Sequence, residues 1–446
     1  MGASPAAGCA TLVSLLLFVS AAARAGDDRP SGPRGPLTVT HLANGMTVAV
    51  QEDHRVPLVA LALSYDAGRR ASPPGLPGIA ALTTSLMLRA TQHVKDGDYF
   101  RLLSEAGATM SDATNLDHIL FDVEVPSNRI ELPLWLWSDQ MGFFDEALTD
   151  AALESQRSTS ERARKTWLET APLSQLDTIA REELFPTDHP YRNALVGAPE
   201  DVRGVDRKAV VAFHDAWIRP EHAFLAIVGD VVPGDAAAVA GRYFGTISGR
   251  GAPGRIARPP AVTLQGETIV DVAANVPRAR VDIYWPTARF LTTEDARLDI
   301  VAHIFSGVRT SLVYWDLVDK QKVATRVWTH QYSADLGSIF EVNIELAPGH
   351  TPPEGLAAFD AVVAEILSHT PQAGVVGMAG YEMLINRAVN LESPRDRARQ
   401  VCSYFTIVGE PNYFAHDFNR YDDVPGQAVN DAITRLLPPD RRVVLL

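Results

Sequence analysis

The chain has 446 residues, 46% of them hydrophobic and 21% charged, with a formal net charge of −14. That length accommodates two or three ordinary domains with full cores, and no low-complexity tract interrupts it. The acidic balance excludes nucleic acid as a general partner, since a polyanion would be repelled.

The first feature in chain order is an apolar run, residues 11–23 (TLVSLLLFVSAAA), too short and too rich in small residues to span a bilayer comfortably. It ends in Ala23-Arg24-Ala25, the small-x-small pattern that a signal peptidase reads, so residues 1–25 are expected to be a cleaved export signal. A membrane anchor is the alternative. Cleavage removes Arg24 and leaves 39 bases against 54 acids, a formal charge of −15. It also removes Cys9, so Cys402 alone remains, which rules out an intrachain disulfide and thiol-ligated metal. Cys402 reads as buried and unreactive. No later stretch is long and apolar enough for stable membrane insertion.

Residues 26–36 read as a flexible lead-in. Thr40 to Glu52 has the pattern of a hairpin with Asn44-Gly45 as its turn, and Pro57 to Tyr65 that of a buried strand. A helix is expected from Gly78 to Arg89, with Ile79, Leu82, Leu86 and Ala90 on one face. Ser248 to Pro260 holds three glycines, three prolines and three arginines, and nothing that could build a core. It predicts a linker over residues 248–261, between a first domain at 37–247 and a second at 262–446. Each half passes from a strand (Val59–Tyr65; Arg280–Trp285) through helix to another strand (Ile119–Val125; Ile339–Leu346), and then to more helix. That parallel predicts an internal repeat of two α+β units.

Several segments together resemble the insulysin and mitochondrial-processing-peptidase family of zinc metallopeptidases, peptidase family M16, and its bacterial two-domain members in particular. Leu42-Ala43-Asn44-Gly45 matches the opening "L-x-N-G", and Gly78-Ile79-Ala80-Ala81-Leu82-Thr83-Thr84-Ser85 is the frame of the "G-x-x-H-x-x-E-H" helix. Gly107-Ala108 and Ala113-Thr114-Asn115 match the segment beside that helix. His189-Pro190-Tyr191, Gly197, Phe213-His214 and Pro220 match the connecting region, and Ile227-Val228-Gly229-Asp230 the strand closing the first half. Arg280 to Pro286 and the stretch around Leu317-Val318-Asp319-Lys320 fit the second half. The resemblance spans residues 38–440 and implies a clamshell of two similar halves, each a mainly antiparallel sheet packed with helices.

The family's chemistry needs two histidines at i and i+4 on one helical face to bind zinc, with a glutamate between them to activate water. At those positions this sequence has Ala81, Ser85 and Thr84. A methyl group offers no lone pair, a neutral serine hydroxyl is a poor zinc ligand, and a threonine is no general base at neutral pH. No H-x-x-E-H, H-E-x-x-H or H-x-H occurs elsewhere, and the closest histidines, His214 and His222, are eight residues apart. The resemblance therefore implies a degenerate site with no catalytic residues and no zinc. The family's third ligand, a glutamate about 76 residues beyond the second histidine, falls on Glu161, and its companion seven residues earlier on Glu154. Both lie in the helical stretch Thr149–Leu168, where Lys165 and Arg157 flank Glu161 at i+4 and i−4, so an ordinary solvated pairing or a vestige is the plainer reading. The family's substrate-clamping Arg and Tyr, seven residues apart, fall on Val318 and Thr325 in the expected helix Leu317 to Thr325. Neither side chain can replace them.

The expected function is that of a non-catalytic member in the periplasm or secreted, forming a heterodimer with a zinc-bearing paralogue in peptide or protein processing. Two alternatives stand beside it: a stand-alone peptide-binding or chaperone-like module, and a zinc-dependent endopeptidase with an altered site.

Overall fold

The computed structural model describes residues 35–171, 173, 175–192, 200–249, 251, 254 and 256–446. The expected signal segment, Gly197 and part of the expected linker lie outside them. Strands β1 (Leu37–His41), β2 (Thr47–Glu52), β3 (Leu58–Tyr65), β4 (Thr109–Thr114), β5 (Ile119–Pro126) and β6 (Ala223–Gly229) form one sheet in the order β1-β2-β6-β3-β5-β4. Strands β7 (Thr268–Val270), β8 (Arg280–Thr287), β9 (Ala324–Tyr332), β10 (Ser338–Leu346) and β11 (Val443–Leu445) form a second in the order β7-β11-β8-β10-β9. Apart from β1, the second order repeats the first strand for strand. Even the single parallel pair recurs at the same place, β2 with β6 and β7 with β11. The internal repeat expected from sequence is present as topology.

The hairpin β1–β2 turns where Asn44-Gly45 predicts. Gly45 has φ +96°, a conformation L side chains rarely adopt, and an added Cβ would lie 3.1 Å from Glu221 Cβ. The amide of Asn44 donates to the carbonyls of Phe244 (2.8 Å) and Ile247 (3.0 Å), so this turn also anchors the end of the first half.

Strand β3 (LVALALSY) is apolar from Leu58 to Leu63, and buried through Ser64 and Tyr65, because both faces of its sheet are covered. Val59, Leu61, Leu63 and Tyr65 point into the core formed with the first half's own helices. Ala49, Ala62 and Ala226 face the other way, against Ala398, Val401 and Cys402 of helix Pro394–Val408, which belongs to the second half. Small residues on that face let the helix approach closely, and Cys402 Sγ sits 3.3 Å from the carbonyl of Ala62. Cys402 is fully buried, as expected, and desolvation pushes its thiol up to about 12.

The reciprocal arrangement covers the second sheet. Helix Leu176–Leu184 of the first half, with Phe185 and Tyr191, packs on Tyr284, Ile339, Val443 and Leu445. Tyr191, from the His-Pro-Tyr segment, is fully buried; its hydroxyl donates to Asp117 and accepts the Leu336 N–H at 2.9 Å. Beside it Arg70 bonds Asp335 Oδ2 at 2.7 Å and Asp66 Oδ1 at 2.5 Å, again joining the halves. Within the expected linker, Ile256 packs on this same cluster and Arg258 reaches Asp335 Oδ1 at 3.1 Å. The expectation that nothing there contributes to a core fails at Ile256. An isoleucine among prolines and glycines finds apolar surface because the linker runs over the junction of the halves.

Candidate functional site

The motif positions lie on helix Ile79–Met87, whose Ile79, Leu82 and Leu86 enter the first core as the periodicity predicts, while the helix stops short of Arg89 and Ala90 stays half-buried beyond it. Ala81 and Ser85, one turn apart on a single face, are half-buried, while Thr84 is buried. The Thr84 hydroxyl donates to the carbonyl of Ala80 one turn back (2.9 Å) and accepts from Thr114 Oγ1 of β4 (3.1 Å). Both its donor and an acceptor site are used locally. The donor set on this helix does not fit a zinc ion: it offers a methyl, a neutral hydroxyl and a second hydroxyl already bonded to its own backbone.

Helix Asp150–Thr170 carries Glu154 and Glu161 and packs directly against the motif helix, so the structure brings together the two segments that the spacing argument paired. The carboxylates are occupied by bases other than those expected. Glu154 is exposed and bonds Arg157 Nη1 at 2.6 Å, and Arg157 Nη2 continues to the Val205 carbonyl. Glu161 is half-buried and faces Arg203 Nε at 3.3 Å, while Lys165 turns to Glu169 instead. An acid at i−3 and a neighbouring helix outcompete the simple i±4 pairs around Glu161. Among the described residues, no group of three or more His, Cys, Asp or Glu side chains is placed to share one metal ion. His214, half of the closest histidine pair, lies 2.9 Å from the carbonyl of Gln140 as an internal hydrogen bond.

The second pair of positions corrects the sequence reading. Val318 lies in the wound segment Trp315–Lys320, partly buried on the second core, but the helix stops at Lys320 and Thr325 belongs to β9. Lys322 with φ +60° ends the helical path, and the β-branched alternation from Val323 to Val327 favours strand over helix. The Thr325 hydroxyl bonds Glu345 on β10, to its carbonyl at 3.2 Å and its Oε1 at 3.0 Å, and accepts from Arg278 at 3.3 Å. Thr325 is spent within its own half.

Two sequence-family models cover this frame. One, described as insulinase (peptidase family M16), matches residues 47–184, and the other, the M16 inactive domain, matches residues 204–376. The chain belongs to peptidase family M16. The word "inactive" describes the second model, which does not include the motif helix. Zinc protease PqqE of Helicobacter pylori is 22% identical over 372 residues, covering 81% of this chain and 82% of that one. A protease from Helicobacter pylori superposes with TM-score 0.84 at 16% identity over 92% of this chain and 99% of its own. The first half of the periplasmic protease PqqL from Escherichia coli gives TM-score 0.75 at 13% identity, covering 94% and 92%. At such identities the structural likeness is one of fold. Among the described residues of this M16 chain, no helix is long and apolar enough to cross a membrane.

Sequence reasoning missed Arg203 and the Thr84–Thr114 bond. Thr114 lies in a segment whose position beside the motif helix was legible, but Arg203, 42 residues from Glu161, gave no signal.

Proposed function

We propose that this M16 chain is a non-hydrolytic member, exported to the periplasm or beyond, that serves as partner subunit to a zinc-bearing paralogue in peptide or protein processing. The observation that carries this reading is the content of the motif helix: Ala81 and Ser85 stand at the ligand positions, and Thr84, at the base position, is bonded to Ala80 and Thr114. A retained two-half frame beside a donor set unsuited to zinc favours a role in shape and assembly over one in bond cleavage. Likeness of fold to a periplasmic protease, together with the apolar run at residues 11–23, supports the location.

The test is direct. The purified chain should carry no stoichiometric zinc by elemental analysis and should not cleave a quenched-fluorescent peptide mixture with or without added zinc. Mixed with a paralogue bearing an intact H-x-x-E-H helix, it should form a 1:1 complex and change that partner's peptidase rate. Stoichiometric zinc, or hydrolysis abolished by chelation, would sink the reading.

One observation favours a second role. Among the described residues strand β4 ends its sheet and pairs only with β5, so its outer edge can receive an added peptide strand up to Thr114, whose carbonyl accepts from Arg69 Nε at 2.9 Å. Saturable binding of an extended peptide by the chain alone, followed by fluorescence anisotropy, would support that module-like role. Binding that requires the paralogue would count against it.

A further inference from the structure

Helix Pro394–Val408 seals the first sheet with one face, through Ala398, Val401 and Cys402. Its positions 396, 399, 400, 403 and 404 fall on the opposite face, spaced by three and four. That face lines a cleft of about 420 Å³ at the junction of the halves, within the ~300–1,000 Å³ range of small-molecule sites. His118 and Leu120 bound the cleft from the first half, and Arg387, Leu391 and Phe418 from the second. Three of the lining residues keep a buried N–H that finds no hydrogen-bond partner among the described residues: Arg399 at Nε, Gln400 at Nε2 and His118 at Nδ1. His118 carries its proton on Nδ1 because its Nε2 accepts from Asn115 Nδ2 at 3.1 Å. Burial, with Arg70 nearby, lowers its pKa to about 4 and keeps the ring neutral. A buried donor left unpaired costs stability, and folds leave few of them. Here three border one cleft.

The carboxylates at hand do not supply the acceptor. Asp417 is fully buried and already takes Arg387 at 2.7 Å, Tyr404 at 2.6 Å and Arg420. Asp122, behind the helix, answers both Arg395 and Arg399, the latter at 2.8 Å. Asp396 is the least engaged: its side chain is 45% exposed and its contact with Arg399 is long, 3.5 Å. We propose that this cleft binds the α-carboxylate end of an amino acid or peptide, with an apolar side chain against Leu120, Leu391 and Phe418. Three N–H donors, one of them on a guanidinium, suit a carboxylate, whose two oxygens accept about four bonds. Asp396 suits the N–H next to such a carboxylate, whether the ammonium of a free amino acid or the amide of a peptide. The motif helix and the outer edge of β4 line no part of this cleft, so the inference stands apart from the proposed function.

Calorimetry on the full chain tests it with leucine, the tripeptide alanyl-alanyl-leucine and the same tripeptide amidated at its C-terminus, each at up to about 5 mM. A carboxylate-bearing probe should saturate a single site per chain, and the amidated peptide should bind at least ~10-fold more weakly. Leucine matching the tripeptide assigns the site to free amino acids, and binding of the tripeptide alone assigns it to peptide ends. Gln400→Leu keeps the size and removes a donor, so it should weaken binding at least ~10-fold. Ser403→Phe fills the cleft and should abolish binding, and both variants should keep the wild-type circular dichroism spectrum. Failure of both carboxylates to saturate overturns the proposal. So does equal affinity for the amidated peptide, or binding that neither substitution moves.

Discussion

Rebuilding the family motif in this chain, Ala81→His, Thr84→Glu and Ser85→His together, should restore zinc binding at a calculable cost. Ala81 and Ser85 are half-buried and can accept larger side chains, but Thr84 is 1% exposed and bonded on both sides. A glutamate there gives up the bonds to Ala80 and Thr114 and buries a carboxylate, costing about 2–4 kcal/mol without metal. Zinc at a hundredfold excess over its dissociation constant returns about 2.7 kcal/mol. Differential scanning fluorimetry should therefore show a melting temperature several degrees below wild type in chelator, largely recovered on adding zinc, whereas the wild-type curve should not move. Arg203 competes with the metal for Glu161 through a largely exposed pair worth at most about 1 kcal/mol. Adding Arg203→Gln to the rebuilt protein should accordingly tighten zinc up to about fivefold by calorimetry. If the rebuilt chain neither binds zinc nor gains stability from it, Glu161 does not face the motif helix and the reasoning fails.

Burial raises Glu341 to about 7, while Asn343 donates to it and Asp282 and Asp177 add negative charge nearby. The folded chain thus holds a proton that the unfolded chain releases above about 4.5, so stability falls as pH rises from 4.5 to 7 and the penalty is complete above that. Glu341→Gln should then stabilise the protein by up to about 3 kcal/mol at pH 8 and be nearly neutral at pH 4.5, read from urea melts; equal effects at both would refute this. Tyr191→Phe leaves the Leu336 N–H unpaired at the junction of the halves and removes one bond from Asp117, which keeps the Asp335 N–H at 3.0 Å and Arg70 Nη1 at 3.4 Å, and should cost roughly 1–3 kcal/mol in the same assay at pH 7. Cys402, buried with its thiol pushed up to about 12, should stay unlabelled by a thiol reagent at pH 8 until the chain is unfolded, as peptide mass spectrometry would report.

What was legible in the sequence was local. The turn at Asn44-Gly45, the buried strand through Val59, the motif helix and the carboxylate helix each follow from a few consecutive residues with a fixed period. The contact between those two helices was also reachable, because family spacing carried it. The partner of Glu161 was not: it finds Arg203, a choice set by which helix passes nearby, while Arg157 takes the i−3 carboxylate of Glu154 in its own helix instead of Glu161. The false helix between Lys320 and Thr325 has a similar cause. Periodicity alone does not reveal that Lys322 will take a left-handed conformation and deliver the following residues to a sheet edge. The exchange of helices, with Cys402 against Ala62 340 positions earlier, left only an indirect trace in the apolar run Leu58 to Leu63 of β3.

That exchange also explains how the chain can carry three motif substitutions without losing its frame. Each sheet is sealed by a helix from the other half, and the seal rests on Ala62, Ala226, Cys402, Leu184 and Tyr191, none of them at the motif positions. Metal ligands are a burden on a fold when the metal is absent, since polar side chains must then be left partly desolvated and unpaired. Alanine at 81 and serine at 85 remove that burden, and threonine at 84 closes its hydroxyl onto Ala80 and Thr114. Replacing the site with small, locally satisfied residues is therefore compatible with full stability.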